Sequence, residues 1–158
     1  MILHEYENVW PHGDYSKPFS WCVKKVRTHF EAFLDKQPEI PEYLRKEKEL
    51  ATYINWSCIV NPEGIIKRPS MLMSNNRMTN IWSWDHCFNA IALSYHQNPL
   101  AWDQFMTLFD HQDSEGAIPD YINNLKAQRN FQKPPIHGWA LKKMMRNGMI
   151  NTEQLLEA

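Results

Sequence analysis

Carboxylates flanked by aromatic residues are the features of this sequence that could do chemistry. The first group is Trp82-Ser83-Trp84-Asp85, in which two indoles precede a carboxylate. Indole rings stack against flat, partly apolar ligands such as sugars, and a carboxylate accepts hydrogen bonds from sugar hydroxyls. The pattern therefore indicates a sugar-binding surface. The alternative is that Asp85 is only a helix N-cap, where the helix dipole favours a negative charge.

A second carboxylate, Asp120, lies between Ile118-Pro119 and Tyr121-Ile122. Carboxyl groups among apolar neighbours are harder to ionise, which suits a general acid. Asp120 is therefore a candidate proton donor, although a turn aspartate after a proline has the same pattern. Lys133, just before Pro134-Pro135, can reach the rim on which such a site would lie. The alternative for this residue is a solvated loop lysine.

Charge and composition exclude several other classes of protein. Seventeen basic and eighteen acidic residues give a net charge of −1, which argues against binding to nucleic acid or to an anionic membrane. No apolar run is long enough to span a bilayer, and the first residues lack the pattern of a signal peptide. Five glycines in 158 residues make a phosphate-binding loop improbable, and no cofactor is implied.

The sulfur and imidazole groups do not form a metal-binding pattern. Asp85-His86-Cys87 is contiguous, so on a helix these side chains point in different directions. Cys22, Cys58 and Cys87 are odd in number and show no CxxC spacing. This indicates reduced thiols, buried in helices, in a cytoplasmic protein.

Apolar residues recur at spacings of three and four, which predicts about six helices in antiparallel pairs. Ser16 is the predicted cap of the first helix, Asn98-Pro99 begins the fourth, Asn147-Gly148 ends the fifth, and Asn151 with Gln154 caps the sixth. The predicted inner faces of the first two helices comprise Phe19, Cys22, Val23, Val26, Phe30, Phe33 and Leu34, then Tyr43, Leu44, Leu50, Ala51, Ile54 and Cys58. The predicted fourth helix buries Trp102, Phe105, Met106 and Phe109.

Two long connections, residues 65–80 and 112–133, flank the predicted third and fourth helices. Long connections inside a compact domain are usually functional. Because antiparallel helices bring the start of one and the end of the other to the same side, both connections should meet on one rim. The last helix has only residues 153–158 after its cap, too few to be stable alone, so we expect the chain to be the front part of a longer protein.

Three motifs in order resemble glycoside hydrolase family 63 and its neighbours, which include processing α-glucosidases, mannosylglycerate hydrolases and glycogen-debranching-like proteins. They are residues 81–88 (IWSWDHCF), residues 116–120 (GAIPD), and Lys133-Pro134-Pro135 followed by Trp139-Ala140. The resemblance covers roughly residues 40–147. It implies an all-α fold, an (α/α)₆ barrel with its active site on one rim.

The resemblance also implies an inverting α-glycosidase that hydrolyses α-glucosidic bonds in small glycosides or oligosaccharides. Asp120 matches the general acid, and Trp82, Trp84 and Asp85 match residues that hold the nonreducing sugar. Lys133 is the further candidate for substrate binding. The expected ligand is a small carbohydrate, with neither nucleic acid nor membrane as a partner.

The chain departs from the family in length. An (α/α)₆ barrel has twelve helices, and the general base of the family is a Glu much closer to the C-terminus. We therefore expect residues 1–158 to form a single unit, about half of the barrel, whose partner is the missing C-terminal half. Such a piece has an acid but no activated water and should be inactive alone.

Three other interpretations remain open. The chain could be a noncatalytic carbohydrate-binding or scaffold remnant that keeps the indole and carboxylate surface. It could be a helical interaction domain whose aromatic surplus only fills a core, although indoles in a connection do not follow the core stripe. Within the enzyme class, a trehalase-like specificity is the alternative.

Overall fold

The computed structural model describes residues 17–74, 77–96, 98–129, 131 and 133–157. Six α-helices run through these residues, and Ser16, the predicted first cap, lies outside them. The helices are α1 Phe19–Leu34, α2 Arg45–Ser57, α3 Ser83–Ser94, α4 Leu100–Met106, α5 His137–Arg146 and α6 Thr152–Glu157. The predicted all-α class is confirmed, and the six helices are consistent with part of a helical barrel.

The main core lies where α3 packs against α4 and α5. Small residues at the contacts, Ala90, Ala101 and Ala140, are fully buried and let the helices approach closely. Large side chains fill the space between them, and the Trp102 and Phe105 rings stack with centroids 5.6 Å apart. The helix α4 ends at Met106, so Phe109 lies in a short 3-10 turn and is only half-buried, which corrects its predicted place on the buried face of the helix.

The predicted inner faces of α1 and α2 are largely wrong. In α1 only Phe33 is buried, whereas Phe19 is 82% exposed. In α2, which begins after a 3-10 turn at Glu42–Leu44, the buried residue is Thr52, and Leu50 is 61% exposed. The two helices pack on each other, but no described element covers the rest of their apolar faces. The other predicted inner-face residues that are exposed are Cys22, Val23, Val26, Tyr43, Leu44, Ala51 and Ile54.

Five two-residue strands are present in the described ranges, in or near the long connections, and the sequence predicted none of them. The strands β1 Ile59–Val60 and β2 Ser70–Met71 form one antiparallel pair. The strands β3 Ile81–Trp82, β4 Tyr121–Ile122 and β5 Ala127–Gln128 form an antiparallel sheet in that order. The prediction that the two connections meet is confirmed. β3, which directly follows the first connection, pairs with β4 of the second, and the Asn80 Oδ1 accepts from the Asn123 side-chain amide at 3.2 Å.

Three of the predicted helix boundaries agree with the structure to within one residue. The Asn98 Oδ1 accepts from the Leu100 N–H at 3.1 Å at the start of α4. Gly148 ends α5 with a φ of 70°. Asn151 and Gln154 exchange side-chain to backbone hydrogen bonds of 2.8 and 3.0 Å at the start of α6, as a capping box requires.

The three cysteines are free thiols, as predicted, but they differ in burial. Cys58 and Cys87 are buried, whereas Cys22 is exposed on α1, which corrects its predicted burial. None of the helices in the described ranges combines the length and the apolar character that crossing a bilayer requires.

Candidate active site

Trp82 is positioned at the junction between the three-stranded sheet and α3. Its backbone is extended, with φ −96° and ψ 138°, and the helix begins at the next residue. It pairs in register with Tyr121 across β3 and β4, and the two rings pack with centroids 4.6 Å apart. The cross-strand ring pair fixes the indole at the point where the two long connections meet.

Asp120 comes directly before β4 and is held by its backbone on two sides. Its N–H donates to the Gln128 carbonyl at 2.7 Å, and its carbonyl accepts from the Ser83 N–H at 2.9 Å. Its side chain is only 2% exposed. The candidate acid is therefore tied both to β5 and to the first residue of α3.

The Lys133 ammonium lies against both of these residues. Its Nζ is 3.0 Å from the Asp120 Oδ1 and 4.9 Å from the centroid of the Trp82 ring. The contact with Oδ1 is an ion pair by distance, but no hydrogen bond of good geometry reaches that oxygen from the described residues. Lys133 therefore contacts two of the other candidate residues and is mostly buried, unlike a solvated loop lysine.

Asp85 is the third residue of α3 and not its N-cap, which is Trp82. Burial raises the pKa of Asp85. Its own backbone N–H, the Lys133 charge and the Trp84 indole oppose that rise, while the Asp120 charge adds to it. Asp85 therefore belongs to the same electrostatic cluster as the candidate acid.

Trp84 faces a different surface from Trp82. It is 36% exposed, and its ring meets the edge of Phe88 at 6.3 Å. Phe88 in turn meets Trp139 of α5 at 6.0 Å. These three rings form an exposed aromatic stripe along α3 and α5 that begins at the site.

The residues that follow Asp85 belong to the core. His86 and Cys87 are about 1% exposed. Burial lowers the pKa of His86 to about 4, with a small opposing effect from the Trp82 backbone, and raises the pKa of Cys87 to about 12. The described residues contain no cluster of three His, Cys, Asp or Glu side chains that could hold a metal ion.

Sequence reasoning missed two contributors to the site. Tyr121 supports the Trp82 ring, and His137, at the start of α5, lies close to the Ser83 backbone. Burial lowers the pKa of His137, with Ser83 opposing. Tyr121 had a signal, since it follows Asp120 directly in an apolar run, but its ring partner lies in the other connection.

The cluster offers complementary groups for a polar ligand. Asp120 can exchange a proton, Asp85 can accept hydrogen bonds, and the Lys133 ammonium can donate them. The Trp82 Nε1 is buried and has no hydrogen-bond acceptor among the described residues, so this donor is unsatisfied there. The set suits a polyhydroxylated molecule more than an apolar one.

The carboxylates and indoles lie together where the two long connections meet beside the helices. A family model for the mannosylglycerate hydrolase MGH1-like glycoside hydrolase domain matches residues 78–156, which is half of the chain. The chain belongs to this family. The matched segment contains Trp82, Trp84, Asp85, Asp120 and Lys133. No curated protein and no solved structure matches the chain.

Proposed function

We propose that this chain provides the acid side of an inverting α-glycosidase that hydrolyses α-glucosidic bonds in small glycosides or oligosaccharides. The observation that carries the proposal is the buried Asp120 carboxyl, held by two backbone hydrogen bonds beside the Trp82 indole and the Lys133 ammonium. Its role is to protonate the glycosidic oxygen as the bond to the anomeric carbon breaks. General acid catalysis of this kind contributes roughly 10²- to 10⁴-fold.

The neighbouring residues would hold the nonreducing sugar. The unpartnered Trp82 Nε1 can donate to a sugar oxygen, and Asp85 can accept from sugar hydroxyls. Trp84 presents a partly exposed ring on which a sugar can stack. Lys133 can donate to a ligand oxygen once one comes within reach.

The general base lies outside this chain in our proposal. Inversion requires a second carboxylate about 6.5–9.5 Å from the acid, with a water between it and the anomeric carbon. The carboxylate whose charge acts together with that of Asp120 is Asp85, on the sugar-binding side. The exposed rings of Phe88 and Trp139, beyond Trp84, would contact the C-terminal half of the barrel, which would supply the base. These 158 residues alone would therefore be inactive.

The test is Asp120→Asn in a barrel with both halves present, assayed on maltose. The exposed Asp113→Asn, in the same connection, is the matched control. We expect the Asp120 variant to lose about 10²- to 10⁴-fold in turnover while its circular dichroism is unchanged. Proton NMR of the released sugar should show the β-anomer first. Wild-type turnover in the Asp120 variant, or initial release of the α-anomer, would show the assignment to be wrong.

A second candidate function is sugar binding without catalysis. It is favoured by the 3.0 Å contact between the Lys133 ammonium and the Asp120 carboxyl, a pair of groups that can bind a ligand oxygen and a ligand hydroxyl without chemistry. Tryptophan fluorescence of this chain during titration with glucose or maltose, followed by analysis of the sugar, separates the two functions. Saturable binding with intact maltose in the complete barrel would favour the noncatalytic function.

Two finer assignments belong to the same proposal. The same assay with trehalose in place of maltose tests for a trehalase-like specificity. Faster release of glucose from trehalose than from maltose would indicate that specificity. The three free thiols favour a cytoplasmic location.

A further inference from the structure

We propose that Lys133 is the positioning residue of the site: one ammonium, held between the Trp82 ring and the Asp120 carboxylate, sets the orientation of both side chains. The inference rests on the proposed function for its purpose. This role of Lys133 differs from sugar binding, because Lys133 orients the two side chains before any ligand is bound. It can therefore be tested on this chain alone.

The backbone of Asp120 is fixed, but its side chain depends on Lys133. The hydrogen bonds to Gln128 and Ser83 hold only main-chain atoms. They do not set the orientation of the carboxyl group, and within the described residues its Oδ1 has no hydrogen bond. The ammonium at 3.0 Å is thus the charge that selects one orientation of a nearly fully buried carboxylate.

Lys133 is itself restrained, which a positioning residue requires. Pro134 and Pro135 follow it, and a residue before proline is confined to extended backbone conformations. The ammonium also lies 4.9 Å from the Trp82 ring centroid, within the range of a cation–π contact. The side chain is 28% exposed, so most of it is packed within the site.

Trp82 is the second group that the ammonium orients. Tyr121 packs against the same indole, and both residues are fixed in register by β3 and β4. Lys126 provides an internal comparison, because its Nζ lies 5.9 Å from the Tyr121 ring centroid. Lys126 therefore makes a similar lysine–aromatic contact at the same sheet, but with Tyr121 and not with Trp82.

The test compares Lys133→Met with Lys133→Arg, using the indole N–H signals of the chain labelled with ¹⁵N-tryptophan. Trp82→Phe assigns the Trp82 signal by its disappearance. We expect Lys133→Met to move the Trp82 signal by more than its linewidth, Lys133→Arg to restore most of the wild-type position, and Lys126→Met to leave it in place. The signal of Trp102, in the core, reports whether each variant is folded.

Asp120→Asn tests whether the ammonium acts through the carboxylate. We expect this variant to move the Trp82 signal in the same direction as Lys133→Met, and the double variant to add no further shift. An unchanged Trp82 signal in folded Lys133→Met, an equal shift in Lys126→Met, or additive shifts in the double variant would each overturn the proposal. Titration of the wild-type chain with maltose tests sugar binding separately, so the two proposals can fail independently.

Discussion

The buried imidazole of His86 should make the stability of the protein depend on pH. Its pKa is lowered from 6.5 to about 4 because burial disfavours the charged ring. Between these two pH values the unfolded chain binds a proton that the native protein does not bind. The free energy of unfolding should therefore fall as the pH falls from about 6.5 to about 4. Above this interval His86 is neutral in both states and should not destabilise the protein.

The size of the effect follows from the two pKa values. A tenfold difference in proton affinity corresponds to about 1.4 kcal/mol, so the interval from 6.5 to about 4 corresponds to roughly 3 kcal/mol. This is a large part of the 5–15 kcal/mol typical of a domain. Burial also lowers the pKa values of His111 and His137, which act in the same direction. The raised pKa of Asp85 acts in the opposite direction near the acid end of the interval.

Comparison of variants isolates His86 from these other groups. His86→Leu removes the titrating ring from a fully buried position, and His96→Gln removes an exposed ring as the matched control. Urea unfolding followed by far-ultraviolet circular dichroism at pH 7.5, 6.5, 5.5 and 4.5 gives the free energy for each protein. We expect wild type and His96→Gln to lose up to roughly 3 kcal/mol more than His86→Leu over this range. Equal losses in all three proteins would refute the reasoning.

Two further predictions concern the connections that bring the site together. Gln104→Met should lower the free energy of unfolding in urea by roughly 2–4 kcal/mol, because the buried Gln104 amide forms hydrogen bonds with two backbone groups near β2. The control Gln112→Met changes an exposed side chain and should have little effect. Equal urea midpoints for the two variants would contradict this prediction. Gly64→Ala should lower the melting temperature, because Gly64 has a φ of 57° and an added Cβ would collide with the Asn124 carbonyl oxygen. The control Gly138→Ala adds a Cβ in open space and should leave the melting temperature unchanged or raise it. Similar melting temperatures for the two alanine variants would count against the Gly64 argument.

Features that depend on local chemistry were predictable from the sequence. The exchange of hydrogen bonds between Asn151 and Gln154 needs only residues three positions apart, so the spacing was sufficient. The positive φ of Gly148 at the end of α5 follows in the same way from the glycine after the last helical turn.

Features that depend on what covers a surface were not predictable. The apolar spacing of Leu50 and Ile54 in α2 correctly shows that they share a face, but both are more than half exposed. Periodicity reports which side of a helix is apolar and contains no information about the partner. The strands have the same limitation, because two residues are too few for an alternating pattern, yet Ile81 and Ile122 pair across the two connections and are fully buried.

The residue types of the candidate site were predicted, whereas their contacts were not. Trp82 stood out as one of two indoles before a carboxylate, and Asp120 stood out for its apolar neighbours. Lys133 was a candidate only because a residue before Pro134-Pro135 could reach the rim. The ion pair and the cation–π contact depend on the register of β3 against β4, which the sequence alone did not reveal. These contacts changed Lys133 from one of several loop lysines into the centre of the cluster.

The first turn of α3 belongs both to the site and to the core, and this connects the stability of the protein with its chemistry. The Ser83 N–H fixes the Asp120 carbonyl, and three residues later the buried His86 packs in the interior. Protonation of His86 would place a charge within one helical turn of the bond that holds the candidate acid. We therefore expect loss of sugar binding below pH 5 to follow local displacement of this turn, and His86→Leu to retain binding at a lower pH than wild type. Identical pH profiles of maltose-induced tryptophan fluorescence in the two proteins would contradict this connection.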